Sequence, residues 1–315
     1  MTLDDIKEEI DKAQTIVIVT HEFPDGDAIG SGLAMYIMLK NMGKQVDVII
    51  PKIPKTFNYM PYINEVKSKG NIEKYDLAIS VDCSDIKIMN GFSEYFENAK
   101  KSIEIDHHST NCMFGDINYV NPAAPATTQI LVSMFQYWEI EITKEIGTCL
   151  ITGIITDTGG FKYSSTTHET FDFASWLLQK GVNISQIYEN CMQAISKSRF
   201  ELTKIAISRL KFIEDGKIVL TYINKEDEKA VNADSGDHEG IVEQGRNIEG
   251  VEVSIFLRET DKGYKVSCRS NGDINVADIC SIFGGGGHAK AAGCTLPCSL
   301  EIAIDKIINE TKKYL

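Results

Sequence analysis

Short β-branched runs alternate with longer helical patterns through the first half of the chain. Thr15 to Thr20, Val46 to Ile50, Leu77 to Val81 and Ile103 to Ile105 are apolar stretches of strand length, as expected of strands buried on both faces of a parallel sheet. Between and after them, Gly30 to Lys40, Thr127 to Trp138, Thr143 to Ile155 and Thr167 to Lys180 have helical length and apolar spacing. The alternation predicts a doubly wound α/β domain, and open sheets of that kind bind ligands at the carboxyl ends of their strands. Polar residues that follow a strand are therefore the first candidates for chemistry.

The pattern changes after Ser185. Mixed charges (Lys197, Arg199, Glu201, Lys204, Arg209) on one or two polar-faced helices reach to about Leu210 and read as a connector. Strands are then expected near Ile218 to Ile223, Val251 to Leu257 and Tyr264 to Cys268, and helices near Glu239 to Gly245 and Val276 to Phe283. A glycine run follows, and then a last helix from Ser299 to about Lys312. This predicts a smaller α+β domain. A length of 315 residues agrees with two domains, at roughly 100 to 200 residues each.

Composition narrows the class. Apolar residues make up 43% and charged residues 24%, as in ordinary globular proteins, and no run approaches the roughly 18 apolar residues of a membrane span. The opening Met-Thr-Leu-Asp-Asp-Ile-Lys has neither the basic nor the apolar region of an export signal, so a cytoplasmic protein is expected. Against 45 acidic residues stand 32 basic ones, a net charge of −13, which repels polyanions at long range and disfavours a coat for long nucleic acid. A small phosphate substrate stays allowed if cations reverse the field locally. The eight cysteines include no Cys-x-x-Cys pair and read as reduced core thiols.

Four segments then carry the chemistry. His21-Glu22-Phe23-Pro24-Asp25-Gly26-Asp27-Ala28-Ile29-Gly30-Ser31 follows the first strand, Val81-Asp82 ends the third and Ile105-Asp106-His107-His108 ends the fourth. Asp157 sits in Gly153-Ile154-Ile155-Thr156-Asp157-Thr158-Gly159-Gly160, where an apolar helix breaks at paired glycines. A lone Asp after a strand is more often a turn or cap residue than a ligand, but four such pieces at element ends call for one explanation. Mixed carboxylate and imidazole donors suit manganese, iron or zinc better than calcium. There are more of them than one ion needs, so two ions sharing a carboxylate are expected.

These motifs, His-x-x-Pro-Asp-Gly-Asp-Ala-x-Gly-Ser, Val-Asp, Asp-His-His and Asp-Thr-Gly, in this order, resemble the DHH phosphoesterase superfamily. The resemblance assigns His21, Asp25 and Asp82 to one manganese and Asp27, Asp82, His107 and Asp157 to a second, with magnesium, cobalt or iron as substitutes. Asp106 would orient an imidazole and His108 would face the substrate phosphate, either neutralising its oxygens or protonating the leaving group. Two cations about 3.5 to 4 Å apart can hold a shared hydroxide and stabilise both attacking and leaving oxygens of an in-line displacement.

The segment Phe283-Gly284-Gly285-Gly286-Gly287-His288-Ala289-Lys290-Ala291-Ala292-Gly293 reads as an anion-binding loop followed by a helix start. With Arg269 and Ser270 upstream it resembles the DHHA1 domain, which implies that Arg269, Ser270, Gly285, Gly286, Gly287 and His288 hold a terminal phosphate or nucleotide. Local charge agrees, since Lys262, Lys265, Arg269 and Lys290 face only Asp273 and Asp278 between residues 262 and 290. The implied division is a DHH catalytic domain over 1–186, a helical linker over 187–210 and a DHHA1 domain over 211–315.

The two-domain form resembles the nanoRNase and pAp phosphatase branch, whose members cut RNA fragments of about two to five nucleotides to 5′-mononucleotides and remove the 3′-phosphate of 3′-phosphoadenosine 5′-phosphate (pAp). Partners would be short RNA and pAp or dinucleotides, not long duplexes or membranes, and a homodimer is compatible with the sequence. The rival reading is a stand-alone cyclic di-AMP or pApA phosphodiesterase. Phe23 departs from the polar residue common at its position, which leaves the metal ligands intact and alters the pocket wall.

Overall fold

In a computed structural model, residues 2–234 and 236–315 are described. They form two compact units that divide between Ala194 and Ile195.

The first unit is an α/β domain built on five parallel strands, β1 (Thr15–Val19), β2 (Gln45–Ile49), β3 (Leu77–Val81), β4 (Ser102–Asp106) and β5 (Ile117–Val120), in the order β2-β1-β3-β4-β5. Alternate residues serve opposite faces, as the strand period requires. Ile16 and Ile18 enter a core shared with Leu33, Leu131 and Ile151, while Val17 and Val19 pack with Tyr75, Met89 and Phe96 on the other side. Burial on both faces explains why these strands are unbroken apolar runs. The chain reverses its winding between β1 and β3, which in this strand order is the switch point where ligands bind.

Three helices frame that point: α1 (Gly26–Asn41), α2 (Thr127–Tyr137) and α3 (Lys144–Asp157). The first begins at Gly26, a turn earlier than its apolar spacing suggested, because Asp25 caps it through hydrogen bonds from Asp27 and Ala28 N–H. Glycines set how closely these helices pack. A Cβ on Gly26 would lie 2.4 Å from Thr156, one on Gly30 2.5 Å from the Cys149 carbonyl oxygen, and one on Gly153 2.4 Å from an Asp27 carboxylate oxygen. With side chains removed at these crossings, Asp27 of α1 and Asp157 of α3 can meet.

The second unit carries a mixed sheet of six strands: β6 (Lys211–Ile213), β7 (Ile218–Ile223), β8 (Val253–Thr260), β9 (Gly263–Ser270), β10 (Gly286–His288) and β11 (Ala291–Leu296), in the order β10-β11-β9-β8-β7-β6. Among the described residues of this sheet, β7 and β8 pair in parallel and the other neighbours antiparallel. Helices α4 (Val276–Ser281) and α5 (Leu300–Thr311) cover one face through Val276, Ile279, Ala303 and Ile307. The helix Lys197–Ser208, which falls in the expected connector, belongs to this unit, where Leu202 and Ala206 are buried with Ile223, Ile241 and Phe256.

The helix start expected after the glycine run is overturned. Residues 286–296 form a β-hairpin, with Gly286 facing Gly293 and His288 facing Ala291. The reason is period two: Ala292, Cys294 and Leu296 are buried and the residues between them are not, which a sheet satisfies and a helix does not. Among the described residues no helix is long and apolar enough to cross a membrane.

Candidate metal centre

Every acidic and imidazole residue expected to bind metal comes together at the carboxyl ends of β1, β3 and β4. Three sets of donor atoms each lie within 4.8 Å of one another: His21, Asp25 and Asp82; Asp27, His107 and Asp157; and Asp82, His107 and His108. Asp82 joins two sets through different oxygens. Its Oδ2 lies 3.8 Å from His21 Nε2, and its Oδ1 lies 3.6 Å from His107 Nε2. Asp82 adopts φ +55°, a left-handed conformation uncommon outside glycine and concentrated at functional sites.

The backbone holds these side chains in place before any ligand arrives. Asp27 is fully buried, and the amino end of α2 surrounds its carboxylate: Thr127 N–H donates to Oδ2 at 2.5 Å, while Thr128 N–H and hydroxyl donate to Oδ1 at 2.9 and 2.6 Å. A helix amino terminus favours an anion there. The Thr127 hydroxyl reaches Asp82 Oδ1 at 3.0 Å. These threonines were not singled out in the sequence. Their only signal was their place at the start of a helix.

His107 Nδ1 donates to the Ala124 carbonyl at 3.2 Å. A carbonyl can only accept, so in the neutral ring Nε2 carries the lone pair, which is the form that binds metal. That Nε2 is buried and makes no hydrogen bond, although Asp157 Oδ2 stands 3.3 Å away. The carboxylates also want a cation. Burial pushes Asp27 upward, and burial with Asp27 and Asp25 nearby pushes Asp82 well above the usual carboxylate range. Burial and Asp27 bring Asp157 to about 7. Burial alone would lower His107, but Asp157 and Asp27 outweigh it and hold the ring at about 9, so without a cation Nε2 carries a proton facing Asp157, and a divalent cation would take that proton's place. Asp157 is the last residue of α3, where the helix dipole repels an anion. A buried imidazole nitrogen that faces carboxylates, among crowded, mutually repelling acids, is the donor set a divalent cation satisfies, and the residues present fit one.

His108 is placed differently. Its Nδ1 is bonded to Asp106 Oδ1 at 2.8 Å, and its side chain is 43% exposed. Asp106 is fully buried; burial would raise it, but hydrogen bonds from His108 and Asn111 hold it below its ordinary value. The Asp106 bond in turn raises His108. Asn111, also not singled out, donates to Asp106 Oδ2 at 2.7 Å and to buried Glu104 Oε1 at 2.5 Å.

The candidates of the second unit lie along β9 and the hairpin. Arg269 Nε donates to Glu243 at 2.8 Å and Nη1 to the Cys268 carbonyl at 3.1 Å, so the basic zone read from residues 262–290 is partly neutralised by an acid outside that window. Ser270 is buried, and its hydroxyl bonds the Ile274 carbonyl at 2.7 Å. His288 is exposed on β10, the edge strand, and Gly287 beside it has φ +143°. Gly285 packs on Cys294, where a Cβ would lie 2.5 Å from that side chain.

A doubly wound domain with an acid and histidine cluster at its switch point, followed by a mixed-sheet domain, defines the class. Residues 15–154 match the DHH family, N-terminal domain, and residues 215–315 match the DHHA1 domain. The chain belongs to the DHH family of phosphoesterases, in its two-domain form with DHHA1, and is an enzyme of that family. It is 34% identical to the bifunctional oligoribonuclease and PAP phosphatase NrnA of Thermus thermophilus over 95% of this chain and 90% of that protein. It is 26% identical to the cyclic-di-AMP phosphodiesterase PdeA of Listeria monocytogenes over 98% of this chain and 48% of that one. Among solved structures, an exopolyphosphatase-related protein from Bacteroides fragilis superposes with a TM-score of 0.90 at 30% identity, covering 99% of this chain and 96% of that one.

Proposed function

We propose that the chain is a manganese-dependent hydrolase that cuts RNA fragments of about two to five nucleotides to 5′-mononucleotides and removes the 3′-phosphate of pAp. Residues 1–186 carry the chemistry and 211–315 bind substrate. The observation that carries this reading is Asp82, whose two oxygens face two separate donor sets. Support for the substrates comes from the Thermus thermophilus relative, which is named as an oligoribonuclease and PAP phosphatase.

His21, Asp25 and Asp82 would hold one ion, and Asp27, Asp82, His107 and Asp157 the other. When bound, two divalent cations supply Lewis acidity, which lowers the pKa of water and offsets charge on a phosphoryl group. Thr127 and Thr128 fix the carboxylates of Asp82 and Asp27, so that neither must reorganise during turnover. Asp106 raises His108 and orients its ring through Nδ1, leaving Nε2 to face a substrate phosphate oxygen. Arg269, the Gly285–Gly287 backbone and His288 bind the substrate's terminal phosphate or nucleotide, while the Ser270 expected beside them is buried and spends its hydroxyl on the Ile274 carbonyl, so it supports the loop beneath them. Glu243 steadies Arg269 through Nε and leaves Nη2 available.

A second reading, a stand-alone hydrolase of cyclic di-AMP or pApA, is favoured by the similarity to the Listeria monocytogenes enzyme across nearly the whole of this chain. Turnover of pAp, pApA, a three-nucleotide RNA and cyclic di-AMP, compared side by side with manganese, magnesium and cobalt, separates the two. Preference for pAp and the RNA with manganese is expected. Preference for cyclic di-AMP favours the rival, and hydrolysis of none overturns both.

A further inference from the structure

The loop that carries His21 and Asp25 also carries a side chain that metal binding does not use. Phe23 stands midway between them and is 70% exposed. At about 3.8 Å per peptide step, its Cα lies within about 7.6 Å of the Cα atoms of both. A large apolar ring in water at the edge of a polar centre is worth explaining, and its surroundings show that it is held there. Lys52, just past the end of β2, sets its ammonium over the ring, 4.4 Å from the centroid, and pairs with Glu22. Asn90 donates to the other Glu22 oxygen at 2.8 Å, and Glu22 N–H donates to the Ile88 carbonyl at 2.8 Å. Lys52 and Asn90 have φ of +50° and +51°, conformations that non-glycine residues rarely adopt. Buried Pro24 follows and fixes the next turn. One face of the ring therefore carries a cation, and the other is open.

We propose that Phe23 and Lys52 form a nucleobase-stacking subsite. The base of the nucleoside whose phosphate sits at the metal centre lies on the open face of Phe23. The Lys52 ammonium, held by Glu22, backs the ring from behind. The inference rests on the reading of this centre as a nucleotide phosphoesterase, and it names what that centre recognises beyond phosphate. Stacking of this kind tolerates any base, so the subsite selects for the presence of a base rather than its identity.

The test uses the full chain with manganese and two substrates, pAp and the 3′,5′-bisphosphate of a ribose that lacks a base. Phe23→Ala is expected to raise KM for pAp relative to the baseless substrate by about 5- to 150-fold, the equivalent of about 1–3 kcal/mol at 1.36 kcal/mol per tenfold. Phe23→Trp is expected to restore the ratio, and Phe23→Leu, apolar but without a π face, is not. A KM ratio that does not move in Phe23→Ala, or one that Phe23→Leu restores as fully as Phe23→Trp, overturns the subsite alone. Failure of the unsubstituted chain to hydrolyse either substrate overturns the pAp phosphatase reading on which the subsite rests, and the subsite with it.

Discussion

Gly30→Ala perturbs the helix spacing on which the metal centre depends, at a residue that is not itself a ligand. A Cβ at Gly30 would lie 2.5 Å from the Cys149 carbonyl oxygen, where ordinary contact begins at 3.4 Å. The helices α1 and α3 must therefore part by about 0.9 Å, because a helix carbonyl cannot rotate away as a side chain can. Asp27 stands one turn before Gly30 and Asp157 ends the facing helix, so the opening is passed to both. Metal sites tolerate displacements of about 0.2 Å, and disturbed ligand orientation typically costs about 10- to 100-fold in affinity.

Stability changes less. Alanine gains about 1 kcal/mol of helix propensity over glycine, and overpacking costs about 1–3 kcal/mol, leaving a net loss of about 0–2 kcal/mol. Gly32→Ala on the same helix is the control, since its nearest neighbour is the tip of Ile50 at 3.1 Å. Urea midpoints and calorimetric titration with manganese measure both terms. Gly30→Ala should lose stability and metal affinity together, and Gly32→Ala should lose neither. If the two variants match the unsubstituted chain equally well, close helix packing does not position the ligands.

Three further outcomes follow from single contacts. Burial, opposed by Asn111, pushes Glu104 up to about 7 from an ordinary 4.5. An acid raised on folding stabilises the fold fully below 4.5 and loses that contribution as pH rises through about 7. That term, about 2–3 kcal/mol, is absent in Glu104→Gln. Unfolding of both chains at pH 5 and pH 8 should show the variant gaining on the original by that amount, and an equal pH response in both refutes it. Thr128→Val deletes the 2.6 Å hydroxyl bond to Asp27 and should weaken manganese binding about tenfold or more in the same titration. Arg269→Ala should raise KM for pAp well above its effect on a generic aryl phosphodiester, whereas equal losses on both count against a pocket in the second domain.

The sequence was most readable where a residue type is costly to place. Four strands of the first sheet were visible because strands buried on both faces must be continuous apolar runs. The fifth, Ile117–Val120, was not, since only Ile117 is buried there. Ligand candidates stood out because acids and imidazoles gathered at strand ends have few purely structural explanations. Thr127, Thr128 and Asn111 stayed hidden because threonine at a helix start and asparagine in a turn are common for local reasons, and only the tertiary fold reveals which carboxylates they hold. The hairpin at 286–296 was misread as a helix start. Ala289, Ala291 and Ala292 suit a helix locally, but burial of every second residue against α4 and α5 outweighs that preference.

Crystals of the chain grown with manganese, with anomalous differences collected at the manganese edge, address the central claim most directly. Two peaks are expected, both bonded to Asp82, one completed by His21 and Asp25 and the other by Asp27, His107 and Asp157. A single peak, or two of which Asp82 binds only one, would contradict a centre built on that shared carboxylate.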